Sequence, residues 1–247
     1  MSNEDKSYRL TVITVVYNDV INIESTLKSV INEKSENIQF IVIDGDSSDG
    51  TLSVIEKYSS DIDLVTSERD SGIYDAMNKG IRISSGEYIM FLNSGDLYIP
   101  GSLSMILADM QNDSPDIFAY AVQIATKTND EFILLPSLKE VRDPQRMMLP
   151  HPGIACKRTL YLKIGLFDTS YSSASDLDWL NRVMLISDIR IVANRVPIVN
   201  FLAGGKSSSV HSKLETLKIA LKYKKNIISS VWFFLKSIRP SSKYGNK

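Results

Sequence analysis

Cysteine is almost missing from this chain. The single Cys156 among 247 residues excludes an internal disulfide and a Cys-rich zinc site, which fits a reducing cytoplasm. Histidine is nearly as scarce, with two residues. Charge of one sign is lacking too: a net charge of -1 gives no general case for nucleic acid as a partner. Long apolar runs are absent, and none approaches the ~20 residues that a membrane-crossing helix needs. The opening MSNEDKSYRL is polar and acidic where a secretory signal is basic and then apolar, so no export is expected. There is no repeat, no heptad run and no long Gly/Ser/Pro linker.

What is present suits a packed α/β protein. Hydrophobic residues make up 43% of the chain, enough for a sizeable core. LTVITVV from Leu10 to Val16 reads as a buried strand closed by Tyr17-Asn18-Asp19. Ile23, Leu27, Val30 and Ile31 then recur at helical spacing, with Asn22 placed to cap. Ile38 to Ile43 gives a second strand, completing a βαβ start. A third strand is expected over Ile62 to Thr66, and a helix with Ile73, Met77 and Ile81 on one face. Asp75, Asn78 and Lys79 occupy its other faces, where charge is ordinarily solvated. Strands are expected again at Tyr88 to Leu92, Asp116 to Ala121, Glu131 to Leu135, Arg190 to Val192 and Val196 to Phe201, with 126–130 as a hairpin turn. The sheet is expected to become mixed after the fourth strand.

Two acidic turns at strand ends carry the chemistry. Asp44-Gly45-Asp46-Ser47-Ser48-Asp49 follows strand two. It is not an EF-hand loop, because Asp49 stands where the sharp turn needs Gly and Ile55 where a bidentate Glu is needed. A dinucleotide-binding turn is excluded as well, since YNDVIN after strand one has no G-x-G-x-x-G; a nucleotidyltransferase would also carry a Gly-rich basic loop there. A carboxylate at this edge can accept a hydrogen bond from a uracil-type N–H or a ribose hydroxyl, so Asp44 is the candidate ligand and Asp49 the helix cap. The second turn, Asn93-Ser94-Gly95-Asp96, delivers Asp96 to the rim where open α/β sheets bind ligands, and Asp96 can hold a hard cation. Asp70 and Lys79 flank the same edge.

In this order and spacing, VITVVYN, VIDGDSSDGT, SERDSGIYDAMNKGI and GEYIMFLNSGD resemble the amino-terminal half of family 2 glycosyltransferases with the GT-A fold, and are most similar to bacterial members that build surface polysaccharides. The resemblance is strong over residues 10 to 100. It implies an α/β GT-A domain over 1–211, with a nucleotide-sugar half of about 8–100 and an acceptor half of about 101–211. It further implies an inverting transfer from a nucleotide-sugar, UDP-linked, to a hydroxyl of a lipid-linked glycan in surface polysaccharide (O-antigen type) assembly. Donor contacts would come from Val16, Tyr17, Asn18, Asp44, Asp70, Lys79, Asn93, Ser94 and Gly95, with Mg²⁺ or Mn²⁺ on Asp96. Asn93 departs from the pattern, which has an acid there; a catalytically degenerate nucleotide-sugar-binding or scaffold subunit is the rival reading.

In the second half, Asp176 within SSASDLDWL matches the position of the family's general base, with Asp178 as fallback and acceptor contact; capping of the helix that follows is the competing role. His151 matches the acceptor side, or is a loop histidine without a role. Gly204 and Gly205, followed by Lys206, resemble the turn that closes the donor site. From 212 to 247, nine Lys/Arg stand against one acid and interleave with apolar residues. This extension fits a helix on an anionic membrane surface at the inner face of the cell membrane, or one docked on the domain or on a second copy in a homo-oligomer.

Overall fold

A computed structural model describes residues 8–125, 131–136, 149–202 and 210–223. The middle of the molecule is the first strand. Leu10–Val16 (β1) is buried at every position because it lies between two parallel neighbours, Ile38–Asp44 (β2) and Tyr88–Phe91 (β4). Its side chains alternate between two cores. Leu10, Val12 and Val16 pack with Ile23, Leu27 and Val30 of α1 (Ile23–Ile31); Ile13 and Val15 pack with Tyr74, Met77 and Ile81 of α3 (Ile73–Ile83). A strand covered on both faces has no solvated side to encode, and so its sequence carries no charge and breaks its apolar run only with the buried Thr11 and Thr14.

Leu64–Ser67 (β3) extends the parallel half beyond β2, and α2 (Thr51–Glu56) connects them. After β4 the sheet is mixed, as expected. Ile154–Lys157 (β8) runs antiparallel to β4 and to Ile117–Ala125 (β6), and β6 pairs in parallel with Ile191–Leu202 (β9). Leu97–Tyr98 (β5) closes the far edge against β9, while Glu131–Leu134 (β7) pairs with β6. The described residues thus make a nine-stranded sheet in the order β3-β2-β1-β4-β8-β6-β9-β5, with β7 beside β6. Helices α4 (Ser102–Asn112), α5 (Arg158–Ile164), α6 (Ser175–Val183) and α7 (Val210–Lys222) complete the layers.

Four expectations need correction. The two strands expected at 190–192 and 196–201 are one strand, β9, with register shifts opposite Tyr120, Ala121 and Val122. Pro197 sits at that irregularity, where its missing N–H interrupts the ladder; the sequence signal itself breaks earlier, at Ala193-Asn194-Arg195, which is polar in its last two residues. The short strands β5 and β8 were not anticipated, because two and four residues give too little periodicity to read. Asn22 makes no side-chain cap; its amide donates to Asp19 Oδ1 at 2.7 Å instead. Asn78 is not solvated but 3% exposed: its side chain accepts the Phe167 N–H at 3.0 Å and donates to the Phe167 carbonyl at 2.9 Å, tying α3 to the second half.

Only the start of the basic extension is described. Its α7 docks on the domain, with Ile219 buried against Ala174 and Leu177. The hairpin turn at 126–130, Gly204, Gly205 and residues 224–247 lie outside the described residues.

Candidate active site

The parallel strands place their carboxyl ends on one rim, and the loops that leave them are stapled together there. Asn18, after β1, has a left-handed backbone (φ 50°). Its N–H donates to Ser47 Oγ at 2.8 Å and its Oδ1 accepts the Ser48 N–H at 2.9 Å. Ser47 and Ser48 therefore join the two loops, and Asp49 accepts from Thr51 N–H and hydroxyl and from Val20 N–H. Asp44 is fully buried at the end of β2. Its Oδ2 accepts from Ser47 N–H at 3.0 Å and Ser67 O–H at 2.7 Å, while Oδ1 has no hydrogen-bond partner among the described residues. A buried carboxylate oxygen without a donor is costly, which makes Oδ1, at the rim, a candidate acceptor for a ligand.

Asp70 sits directly above Gly45. A Cβ at Gly45 would lie 2.5 Å from Asp70 Oδ2 and 3.3 Å from Tyr17 Cδ2, so only glycine allows this close approach. Tyr17 is exposed, Val16 accepts the Gly45 N–H through its carbonyl at 2.9 Å, and Asp70 Oδ1 accepts the Gly72 N–H at 2.9 Å. Lys79 holds the same loop from α3: its ammonium pairs with Glu68 at 2.9 Å and donates to the Arg69 carbonyl at 2.8 Å.

The turn after β4 is fixed from beneath. Asp96 N–H donates to the Asn93 carbonyl at 3.0 Å, and Gly95 takes φ +95°, as a tight turn of this kind requires. The buried Thr26 hydroxyl accepts from Gly95 N–H at 3.0 Å and donates to the Asp96 carbonyl at 2.9 Å. Ser94 Oγ donates to Asp19 Oδ2 at 2.7 Å, which binds this turn to the loop after β1. Asn93 Oδ1 is a second buried oxygen with no partner among the described residues.

A cleft of about 490 Å³ opens beside that turn. Asn93, Ser94 and Asp96 line one side; Asp176, Ser172 and Ser173 line another; Val122, Ile124, Leu134 and Phe201 supply an apolar wall. Asp176 is in the first turn of α6, and its Oδ1 accepts from Tyr74 O–H at 2.9 Å and Leu177 N–H at 2.9 Å. Burial, and then the Asp176 charge, push the Tyr74 phenol far above its usual range, so it stays protonated and donates. His151 also lines the cleft, with its ring stacked 5.3 Å from Phe91 and edge-on to Phe167. Burial pulls its imidazole below the ordinary value, against the opposing charge of Asp176, so it is neutral at pH 7.

Asp178 is not brought to the cleft. Two residues along a helix reverse the direction of a side chain, and Asp178, 1% exposed, is enclosed by Lys222 at 2.7 Å, Arg182 at 3.1 Å and Tyr223 O–H at 3.1 Å. Asp44 stays on the same rim as Asp96, separated from β4 by β1. Sequence reasoning missed Tyr74, Thr26, Asp19 and Glu215. Each looks like an ordinary helix or loop residue in the sequence, Tyr74 inside SGIYDAMNKG included.

The pattern of Glycosyl transferase family 2 matches residues 11–167. The chain belongs to this family. An uncharacterized glycosyltransferase of Haemophilus influenzae is 24% identical over 221 residues, covering 87% of this chain and 75% of that one. Among solved structures, Staphylococcus aureus TarS 1-349 in complex with UDP-GlcNAc superposes with a TM-score of 0.70 at 17% identity, over 93% of this chain and 71% of that one. The mannosyltransferase PcManGT of Pyrobaculum calidifontis, in complex with GDP-Man and Mn²⁺, gives 0.67 at 16% identity, over 94% and 73%. The fold of this family 2 glycosyltransferase is GT-A. Among its described residues, no helix is long and apolar enough to cross a membrane, and no cluster of three or more His, Cys, Asp or Glu forms a ready-made metal cage. The oxygen donors at the turn, Asp96 and the unpartnered Asn93 Oδ1, are of the hard kind that Mg²⁺ or Mn²⁺ takes, and they fit a cation that shares its remaining positions with a diphosphate and water.

Proposed function

We propose that this glycosyltransferase moves a sugar, with inversion, from a UDP-linked donor onto a hydroxyl of a lipid-linked glycan acceptor in surface polysaccharide assembly at the inner face of the membrane. The observation that carries this reading is the sharing of one cleft by Asp96 and by Asp176 in the grip of Tyr74. The nucleotide-sugars bound by TarS and PcManGT support the donor class. The apolar wall of Val122, Ile124, Leu134 and Phe201 beside Asp176 supports an acceptor with an apolar part. The basic composition of 212–247 supports contact with anionic lipid.

In this reading Asp44 accepts a hydrogen bond from the nucleoside through Oδ1, with Tyr17, Asn18 and Asp70 around it. Asp96, with Asn93 and Ser94, holds the diphosphate end. A divalent cation bound there would stabilise the charge that gathers on the leaving diphosphate. Asp176 takes the proton of the acceptor hydroxyl as its oxygen bonds to the anomeric carbon, and the bond from that carbon to the diphosphate oxygen breaks with its electron pair leaving on the nucleotide. His151, neutral, offers a ring nitrogen to acceptor or diphosphate without adding charge.

The test is Asp176→Asn. Donor binding by calorimetry should be nearly intact while transfer is abolished; turnover at the original rate would remove Asp176 from the mechanism. Asn93 in place of an acid motivates the second reading, a degenerate binding subunit. Donor binding without transfer or hydrolysis in the unaltered protein, across several acceptors, would favour it.

A further inference from the structure

Helix α7 grips the segment that bears Asp176 on both sides of that residue. Ahead of it, Glu215 Oε1 accepts from Ser172 N–H at 2.7 Å and O–H at 3.1 Å, and Oε2 accepts from Ser173 N–H and O–H, both at 2.9 Å. Behind it, Lys222 pairs with Asp178 at 2.7 Å and Tyr223 O–H reaches the same carboxylate oxygen at 3.1 Å. Between these two holds, Ile219 packs on Ala174 and Leu177, the residues that flank Ser175 and Asp176.

A carboxylate as buried as Glu215, 3% exposed, is tolerated only when its oxygens are fully hydrogen-bonded. Burial pushes its carboxyl up, but the serine N–H and O–H donors outweigh burial and hold it below its usual value, so it is ionised at neutral pH. Four donors from two adjacent residues, plus His211 Nε2 at 3.1 Å, are a costly way to anchor a loop that only needs to be covered. What distinguishes this loop is its position: Ser172 and Ser173 line the cleft, four and three residues before Asp176. The 2.9 Å bond from Tyr74 to Asp176 is met only if the amino end of α6 stays where these contacts put it. A catalytic base displaced by about 1 Å can lose on the order of a hundredfold in rate.

We propose that Glu215 and Lys222 are positioning residues for the transfer reaction: through the 172–173 loop and Asp178 they aim Asp176 at the acceptor hydroxyl. This inference rests on the reading of Asp176 as the general base. It makes α7, outside the matched family region of residues 11–167, part of the working enzyme and not an appendage.

The experiment uses the full chain and the variants Glu215→Gln, Lys222→Ala and Lys222→Arg. Donor binding is read by calorimetry with UDP-GlcNAc and with GDP-Man in the presence of Mn²⁺, and turnover is read as nucleoside diphosphate released. Glu215→Gln and Lys222→Ala should lower kcat at least tenfold with donor Kd within twofold, and Lys222→Arg should recover most of the rate. A merely structural role would lower thermal stability and leave kcat of the folded protein unchanged; that result, or a loss of donor binding that matches the loss of rate, overturns the proposal. Where Glu215→Gln does not fold, the Lys222 pair decides. If Asp176→Asn turns over normally, the base reading fails first and this inference falls with it, an outcome distinct from normal turnover in the α7 variants alone.

Discussion

The Tyr74 hydroxyl donates to Asp176 Oδ1 at 2.9 Å, across a separation of 102 residues, and joins α3 to the first turn of α6. Tyr74→Phe removes that bond and little else, since the ring keeps its packing 5.5 Å from Phe167. The folding cost should be about 0.5–1.5 kcal/mol, the usual net worth of such a bond. Asp176 would keep only the Leu177 N–H, so its carboxylate gains freedom to turn from the acceptor. Transfer should slow by about tenfold, a fraction of the roughly 10²–10⁴-fold that a positioned general base supplies, because Asp176 itself remains, with donor Kd unchanged. Steady-state kinetics beside calorimetry checks this; a donor Kd that weakens as much as kcat falls would place Tyr74 in donor binding.

In the proposed reading, Asp44 separates ligand binding from fold maintenance atom by atom. Its Oδ2 is used by Ser47 and Ser67, and its Oδ1 has no partner among the described residues. Ser67→Ala cuts a fold contact alone and should lower the melting temperature with donor affinity unchanged. Asp44→Ala also removes the free acceptor, and a hydrogen bond to a charged group is worth about 1.5–3 kcal/mol, so nucleotide binding should weaken by roughly 10- to 100-fold. Equal donor affinity in the two variants would mean that Asp44 is a fold residue only.

The sequence reading went furthest where one strand end explains itself. β1, β2 and β4, with Asp44 and Asp96 at their ends, are legible because buried parallel strands are short apolar runs that stop at polar turns. Tyr74, Thr26 and Asn78 were not legible, because a side chain that bonds an element 70 or more residues away, as Thr26 does with Asp96 and Asn78 with Phe167, leaves no mark in its local pattern. Asp178 misled for the reverse reason. It stands in the same acidic pair as Asp176, and only the helical turn between them decides that one faces the cleft and the other faces Lys222. β9 reads as two strands because Asn194 and Arg195 interrupt its apolar run, a local signal overruled by its long pairing with β6.

His151 gives a pH signature. Its imidazole is held below its ordinary value by burial, against the opposing charge of Asp176. An unfolded histidine titrates near pH ~6.5, so below that the unfolded chain takes a proton that the folded chain refuses. The stabilisation is therefore complete above pH ~6.5 and is lost as pH falls toward the folded value. His151→Phe keeps a flat ring against Phe91 and removes the titration. Between pH 7.5 and 5.5 its melting temperature should fall less steeply than that of the unaltered protein; parallel curves would show that His151 does not titrate in this window.

Gly45 offers the sharpest test of the donor rim. A methyl group there would sit 2.5 Å from Asp70 Oδ2, but that oxygen is the far end of a side chain that can rotate away. Gly45 does not have a positive φ, so Ala at this position carries no backbone strain, and the loss of glycine's extra freedom in the unfolded chain offsets part of the crowding. Gly45→Ala should thus change stability by less than about 1 kcal/mol. Asp70 cannot keep its present place against Gly45, and the rim beside Asp44 is remodelled where the nucleoside is proposed to lie. Donor affinity should drop by about tenfold while the melting temperature barely moves. The opposite pattern, a clear loss of stability with unchanged donor Kd, would mean that Tyr17, Gly45 and Asp70 close the sheet edge and that the nucleoside binds elsewhere.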